Sequence, residues 1–135
     1  TPEKFKGAHY KLPPNFLSYP KPTHAIPFLI GGHSQTALKR AGVLGNGWLP
    51  QQSAHSIDPT ALEEPISMMR DAAIAIGNNP DKLRVVLRIN QSADQTDVVA
   101  ENLNALSAVG VNDIVVDVDW SMADGPERAA SVLMG

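Results

Sequence analysis

After residue 25, apolar and polar positions change their spacing in a regular order. Short apolar runs predict strands over residues 26–30, 46–49, 83–89 and 111–118. Apolar residues at helical spacing predict helices over 34–42, 58–77, 94–108 and 126–134. Pro65 lies inside the second helical segment, where we expect it to restart or kink the helix.

The predicted order is therefore strand then helix, repeated four times. In the third strand, Val85, Leu87 and Ile89 share one face, and Val86 and Arg88 share the other. Strands that are apolar almost throughout are typical of parallel sheets covered by crossover helices. The pattern predicts an α/β fold, either a doubly wound sheet or half of a (β/α)8 barrel, and periodicity alone does not separate the two.

The first 25 residues have a different composition, because proline and aromatic residues recur there. Proline at this density prevents regular helix, so we predict an extended arm or a short hairpin over 1–25. Residues 26–135 then form a single domain. The chain begins with Thr1 rather than Met, and we expect it to be a piece of a longer protein.

Composition excludes several classes of function. The 135 residues carry a formal net charge of −3 and no clustered Lys or Arg, which argues against a nucleic-acid partner. The absence of cysteine excludes disulfides and thiolate chemistry. No apolar run approaches the roughly 20 residues that span a bilayer. We therefore expect a soluble, cytoplasmic protein that does not contact a membrane.

The most informative segment runs from the first strand into the first helix. Gly31 and Gly32 follow the strand, and Ser34 is suited to cap the helix. Glycines let backbone N–H groups approach a ligand, and a helix N-terminus favours negative charge, so this turn can hold a phosphate. The alternative is that the two glycines only connect a strand to a helix.

The run GGHSQTALKRAGVLGNGWLP, residues 31–50, resembles the luciferase-like monooxygenase family, especially its branch that uses the deazaflavin coenzyme F-420. The upstream FKGAHYKL and YPKP, and GVNDIVVD at 110–117, resemble other parts of the same family. Two positions depart from its pattern: Asn46, where the family usually has Asp, and Pro65, inside a helix that is normally uninterrupted.

The resemblance implies the C-terminal half of a (β/α)8 barrel, comprising strands five to eight. It implies hydride transfer between coenzyme F-420 and a small organic substrate. An FMN-dependent monooxygenase is the alternative within the family, and a catalytically silent half-barrel is the alternative outside enzymes. The implied cofactor contacts lie at two neighbouring strand ends: Gly31, Gly32, His33, Leu49, Pro50 and Gln51. His33 and Ser34 each have two possible roles, helix capping and ligand contact.

The remaining polar residues point less clearly to a function, and no catalytic residue is assigned. Arg88 is expected to face a barrel interior, where it either contacts ligand or forms an ion pair. Asp113, Asp117 and Asp119 follow or begin strands, where carboxylates usually cap or pair. The histidines show no metal-ligand spacing, so no metal is expected. We also expect Trp48 to be buried, and the open half-barrel to pair with a missing N-terminal half or with a second copy in a homodimer.

Overall fold

The computed structural model describes residues 23–134 and, before them, only the backbone of two short strands. These strands, β1 (Phe5–Lys6) and β2 (Lys11–Leu12), pair antiparallel within the segment that we predict to be an extended arm or a short hairpin. The rest of residues 1–22, including His9 and the YPKP segment at 19–22, lies outside the described residues.

The remaining elements alternate between strands and helices. The strands are β3 (Leu29–Gly31), β4 (Gly47–Leu49), β5 (Gln51–Ser53), β6 (Arg84–Asn90) and β7 (Asp113–Val116). The α-helices are α1 (Gln35–Val43), α2 (Glu63–Ala75), α3 (Thr96–Ala108) and α4 (Gly125–Met134). Single 3-10 turns are formed by Ala54–Ser56, Thr60–Leu62 and Pro80–Lys82.

From β3 onward, all strand pairs are parallel and follow the chain order. β3 pairs with β4, and β4 and β5 pair with the beginning and the end of β6, respectively. β7 pairs with β6 on the opposite side. A doubly wound sheet reverses its strand order at a switch point, whereas successive units of a (β/α)8 barrel do not. The order is therefore that of half a barrel.

The hydrophobic core lies between the helices and one face of this sheet. Val85, Leu87 and Ile89 of β6 are at most 1% exposed and belong to one cluster with helix residues such as Met69 and Leu106. On the other face of β6, Val86 is half-buried and Arg88 is exposed. The predicted alternation along this strand is confirmed, and the second face is open within the described residues.

The first strand starts later than predicted. Ile26 and Phe28 are exposed, and the parallel ladder begins at Leu29 because its neighbour β4 begins only at Gly47. Phe28 instead bonds to Asn46, which precedes β4. The last strand, Asp113–Val116, is also shorter than the predicted 111–118, and Asn112 bonds to Val85 before the ladder starts.

The chain resumes as strand β5 directly after Pro50, where the hydrophobic pattern predicts no strand. Pro50 has no N–H and so interrupts the ladder, but its carbonyl oxygen accepts a bond from the Arg88 N–H at 2.9 Å. β4 and β5 are thus two parts of one extended segment along β6. This continuation places Gln51 beside Arg88.

Pro65 does not kink a helix. The helix α2 begins at Glu63, so Pro65 lies in its first turn, where backbone N–H groups have no partner within the helix. The preceding residues form the 3-10 turn Thr60–Leu62 instead of the helix that was predicted from residue 58. The departure at this position is therefore accommodated without a break.

Candidate functional site

The two glycines at the carboxyl end of β3 have different structural roles. Gly32 has a φ of +96°, a left-handed conformation that favours glycine, and a Cβ there would lie 3.2 Å from the Ala37 Cβ. Gly31 has no such requirement, since a Cβ would meet nothing nearer than the Leu49 carbonyl oxygen at 3.9 Å. Gly32 therefore shapes the turn, and the missing side chain of Gly31 leaves accessible space at the sheet edge.

The helix α1 begins directly after this turn. Ser34 is its N-cap, and the Ser34 hydroxyl accepts a hydrogen bond from the Ala37 N–H at 3.1 Å. Of the two roles considered for Ser34, the structure shows helix capping. The N-terminus of α1 adds positive partial charge beside the glycines.

Trp48 holds the turn in place from the neighbouring strand. Its side chain is fully buried, as predicted, and its indole N–H donates to the Gly32 carbonyl oxygen at 2.7 Å. A buried indole N–H needs such a partner. The bond links the core directly to the candidate site.

His33 connects the two strand ends. Its Nε2 accepts a hydrogen bond from the Gln51 N–H at 3.3 Å, and its ring meets the Trp48 ring edge-to-face, with centroids 5.4 Å apart. An Nε2 that accepts requires a neutral ring with the proton on Nδ1. His33 is exposed and caps no helix, so its observed role is to bridge these strand ends.

The six residues implied as cofactor contacts lie close together at the carboxyl ends of β3 and β4. Leu49 stands opposite Gly31 in the ladder, Pro50 is buried, and Gln51 is exposed next to His33. The full set is Gly31, Gly32, His33, Leu49, Pro50 and Gln51. Carboxyl ends of barrel strands are where active sites of this architecture lie.

A second group of polar side chains continues along the same edge. The Arg88 Nε donates to the Asn90 Oδ1 at 2.8 Å, and the Asn90 amide donates to the Gln51 Oε1 at 3.3 Å. The Arg88 Nη2 lies 3.6 Å from an Asp117 carboxylate oxygen. Arg88 thus forms an ion pair, one of its two predicted possibilities, and this network joins β5, β6 and the residue that follows β7.

A tight corner after β6 positions Asp117. Gln91 has a φ of +57°, uncommon for a residue with a side chain, and its N–H donates to the Asp117 carboxylate at 2.8 Å. The buried Ser92 hydroxyl donates to the Ile89 carbonyl oxygen and accepts from the Asp117 N–H, both at 2.7 Å. The carboxylate is therefore fixed from its side chain and its backbone.

Sequence reasoning missed this corner. Arg88 and Asp117 were candidates, but nothing in the sequence indicated that Gln91 adopts a left-handed conformation or that Ser92 is buried. The available signal was position, since polar residues directly after a buried strand lie at its carboxyl end. The Gln91 N–H is bonded to Asp117, so this loop does not present that donor to an anion.

The loops at the carboxyl edge are acidic. Residues 32–34, 54–62, 91–95 and 117–124 contain no Lys or Arg, and their carboxylates are Asp58, Asp94, Asp117, Asp119 and Asp124. A hydrogen bond from the Thr60 hydroxyl lowers the pKa of Asp58 below its usual value, and the Ser121 hydroxyl does the same to the pKa of Asp119. Both groups are ionised and hydrogen-bonded at neutral pH.

Within the part of the chain that the structure describes, no group of three His, Asp or Glu side chains is arranged to hold a metal ion. None of the described helices is both long and apolar enough to cross a membrane.

Comparison with known proteins gives consistent matches. Residues 1–123 match the family described as luciferase-like monooxygenase. Uncharacterized proteins of Mycobacterium tuberculosis and Mycobacterium bovis are 29% identical over 125 residues, covering 92% of this chain and 39% of each relative. The chain therefore spans about two-fifths of the length of these relatives.

A solved structure shares the fold. It is an F420-dependent secondary alcohol dehydrogenase in complex with an F420-acetone adduct, and it superposes with a TM-score of 0.61 at 15% identity. The match covers 85% of this chain and 49% of that chain. The likeness supports the half-barrel architecture derived from the strand order.

Proposed function

This chain belongs to the luciferase-like monooxygenase family, and we propose that it supplies the cofactor-binding C-terminal half of an F-420-dependent oxidoreductase. The proposed reaction is hydride transfer between the deazaflavin and a small organic substrate. The bound coenzyme supplies the hydride chemistry, and the protein positions it. The choice of F-420 over FMN follows the solved relative, which is named as F420-dependent.

The Gly31–Gly32 turn carries the proposal. Gly31, which is exposed and lies four residues before the first residue of α1, suits the phosphate of an F-420 or FMN tail. Gly31 opens the space, and Gly32 lets the chain turn there. The residues present therefore fit a phosphate-bearing cofactor, and because Gln51, Gln52 and Ser53 carry no positive charge, backbone N–H groups and the helix N-terminus would hold the phosphate.

The other residues of this edge would position the cofactor and exclude water. Half-buried Leu49, beside Gly31, offers apolar surface to a planar ring. The bond between His33 and Gln51 keeps the two strand ends at a fixed separation. The buried Trp48 indole holds the Gly32 turn through a hydrogen bond, so the site would be largely formed before the cofactor binds.

A complete groove requires a second half-barrel. Within the described residues, β3 pairs only with β4 and β7 only with β6, so each strand has one unpaired edge. Val115 is 46% exposed, and it lies on the open face with Val86. Unpaired edges beside apolar side chains favour further strand pairing. In the proposal, the N-terminal half of the same protein, or another copy of this chain, covers this face.

Calorimetric titration of the intact protein with coenzyme F-420 and, separately, with FMN tests the proposal. We expect F-420 to bind more tightly, and Gly31→Val to weaken it because the added side chain occupies the open space. Leu44→Ser, at the exposed far end of α1, is the control and should leave binding unchanged. Tighter binding of FMN would favour the monooxygenase alternative.

If neither cofactor binds, the proposal fails, and the silent half-barrel becomes the better description. Sedimentation equilibrium tests whether a second half-barrel covers the open face. A single well-folded species at the monomer mass of 14.4 kDa would contradict the need for a second half.

A further inference from the structure

Arg88 is the one basic side chain of β6 at the carboxyl end of the sheet, and part of its hydrogen-bonding capacity is used within the protein. Its Nε donates to Asn90, and its Nη2 lies beside the Asp117 carboxylate. A guanidinium binds a carboxylate or phosphate best through two parallel N–H groups on one edge. The edge formed by Nε and Nη2 is already engaged, and the remaining N–H groups are on a side chain that is 49% exposed.

The charge of Arg88 is also balanced by a carboxylate that is held firmly. Asp117 accepts from the Gln91 N–H at 2.8 Å, and its own N–H is bonded to buried Ser92. Gln91 keeps an unfavourable left-handed conformation in order to make this corner. Asp117 therefore stays beside Arg88 instead of moving aside for an incoming anion.

The surroundings of this ion pair disfavour anions further. The loops that follow β6 and β7, residues 91–95 and 117–124, contain four carboxylates and no Lys or Arg. Negative loops lower the local concentration of anionic ligands and leave uncharged ones unaffected.

We propose that Arg88 binds an uncharged oxygen of the substrate, a carbonyl or hydroxyl, and that Asp117 is the positioning residue that makes this subsite reject carboxylates and phosphates. The proposal rests on the proposed function only in placing the substrate at the carboxyl edge of the sheet. In this proposal, the Arg88 subsite selects between ligands of equal shape by their charge.

A matched ion pair provides an internal control. Arg84 and Asp113 lie four residues before Arg88 and Asp117 on the same two strands, and they pair in the same diagonal register. This pair lies at the amino end of the strands, away from the candidate site. Asp113→Asn therefore removes the same charge from the opposite end of the same sheet face.

The test uses acetamide and acetate, which have nearly the same shape and differ in charge. Each is titrated into the intact protein without cofactor, and the Arg88 Nε–H resonance is followed by NMR, with Arg88→Lys identifying the signal. In the unmodified protein, we expect acetamide to shift the signal and acetate to bind no more tightly than acetamide. In Asp117→Asn, which retains an oxygen to accept from Gln91, acetate affinity should rise by about tenfold.

Asp113→Asn should leave both affinities unchanged. Preferential binding of acetate by the unmodified protein would overturn the proposal, and so would equal effects of Asp117→Asn and Asp113→Asn. The Gln91 backbone amide resonance reports whether the corner survives the substitution. With the cofactor loaded, Asp117→Asn should lower KM for a keto acid more than KM for the matching ketone. Because the NMR arm needs no cofactor, failure of the F-420 assignment is distinguishable from failure of this one.

Discussion

Asn46 is bonded to Phe28 twice. Its N–H donates to the Phe28 carbonyl oxygen, and its Oδ1 accepts from the Phe28 N–H, both at 2.7 Å. Asn112 repeats the arrangement with Val85, at 2.9 Å and 2.8 Å. Each asparagine thus extends the pairing of two parallel strands by one residue before the ladder begins. Each asparagine side chain acts only as an acceptor through its Oδ1. The Asp that is usual at position 46 in this family would therefore accept the same bond.

This equivalence can be measured at Asn112, whose bond to Val85 is partly buried. Asn112→Ala should lower the free energy of unfolding by about 1–2 kcal/mol, because the Val85 N–H loses its acceptor. Asn112→Asp retains the acceptor and should cost clearly less. Urea unfolding of the two variants decides the point, and equal losses would mean that the bond contributes little.

The second prediction concerns the hydrogen bond from the Trp48 indole to the Gly32 carbonyl oxygen. Trp48→Phe keeps most of the buried ring but leaves the Gly32 carbonyl oxygen without its donor, so we expect a loss of about 1–2 kcal/mol in stability. Cofactor affinity should also fall, because the turn is no longer anchored. Trp120→Phe is the matched control, since Trp120 is 80% exposed. An unchanged Gly31–Gly32 turn and unchanged affinity in Trp48→Phe would refute the anchoring role.

The two glycines should respond differently to alanine. Gly32→Ala forces a side chain into a left-handed conformation and against Ala37, which should cost about 1–2 kcal/mol of stability. Gly31→Ala adds a methyl group in ordinary contact distance and should leave the unfolding midpoint nearly unchanged. Thermal unfolding of both variants checks this, and similar midpoints would show that Gly32 is not required by its backbone.

Ser92 is expected to matter through its buried hydroxyl. Ser92→Ala leaves the Asp117 N–H without its acceptor and should cost about 1–3 kcal/mol. Hydrogen exchange at the Asp117 amide should accelerate more than exchange at Leu87, which stays within the ladder. Ser107→Ala, at an exposed position of α3, is the control for losing a hydroxyl alone.

Acid should weaken the loop before α2 through Asp58. Its pKa is lowered in the folded chain, chiefly by the Thr60 hydroxyl, so the folded state binds its proton less readily than the unfolded state. The stabilisation is therefore complete above the unfolded value of about 3.9 and is lost as pH falls through the folded value. Asp58→Asn should be less stable than the parent protein at neutral pH and equally stable well below that range. A difference that persists in acid would assign the effect to something other than charge.

Most of the architecture could be predicted, because the strands and helices differ in hydrophobic period. The alternation of Val85, Leu87 and Ile89 fixed which face of β6 is buried, and the burial of Trp48 followed from its position in a short apolar strand. Strand β5 could not be predicted in this way. Gln51 and Ser53 have no apolar pattern, and they are extended because β6 offers them a ladder.

The site was predictable where backbone chemistry defines it and not where side chains meet across strands. The pair Gly31 and Gly32, between an apolar run and a helical pattern, predicts a turn from the sequence alone. The contact between Arg88 and Asp117, 29 positions apart, depends on the register of β6 and β7, which no local pattern specifies. Half-way between these cases is His33, whose bond to Gln51 depends on the unexpected strand after Pro50.

The two tryptophans give this protein two separate optical signals. Trp48 is fully buried and bonded to the Gly32 turn, whereas Trp120 is 80% exposed. Indole fluorescence moves to longer wavelength in water, so their emission bands should separate, and an aqueous quencher should reach only Trp120. In a Trp120→Phe protein, all of the indole fluorescence would come from Trp48, beside the Gly32 turn. Occupation of the groove could be followed in real time without any attached dye.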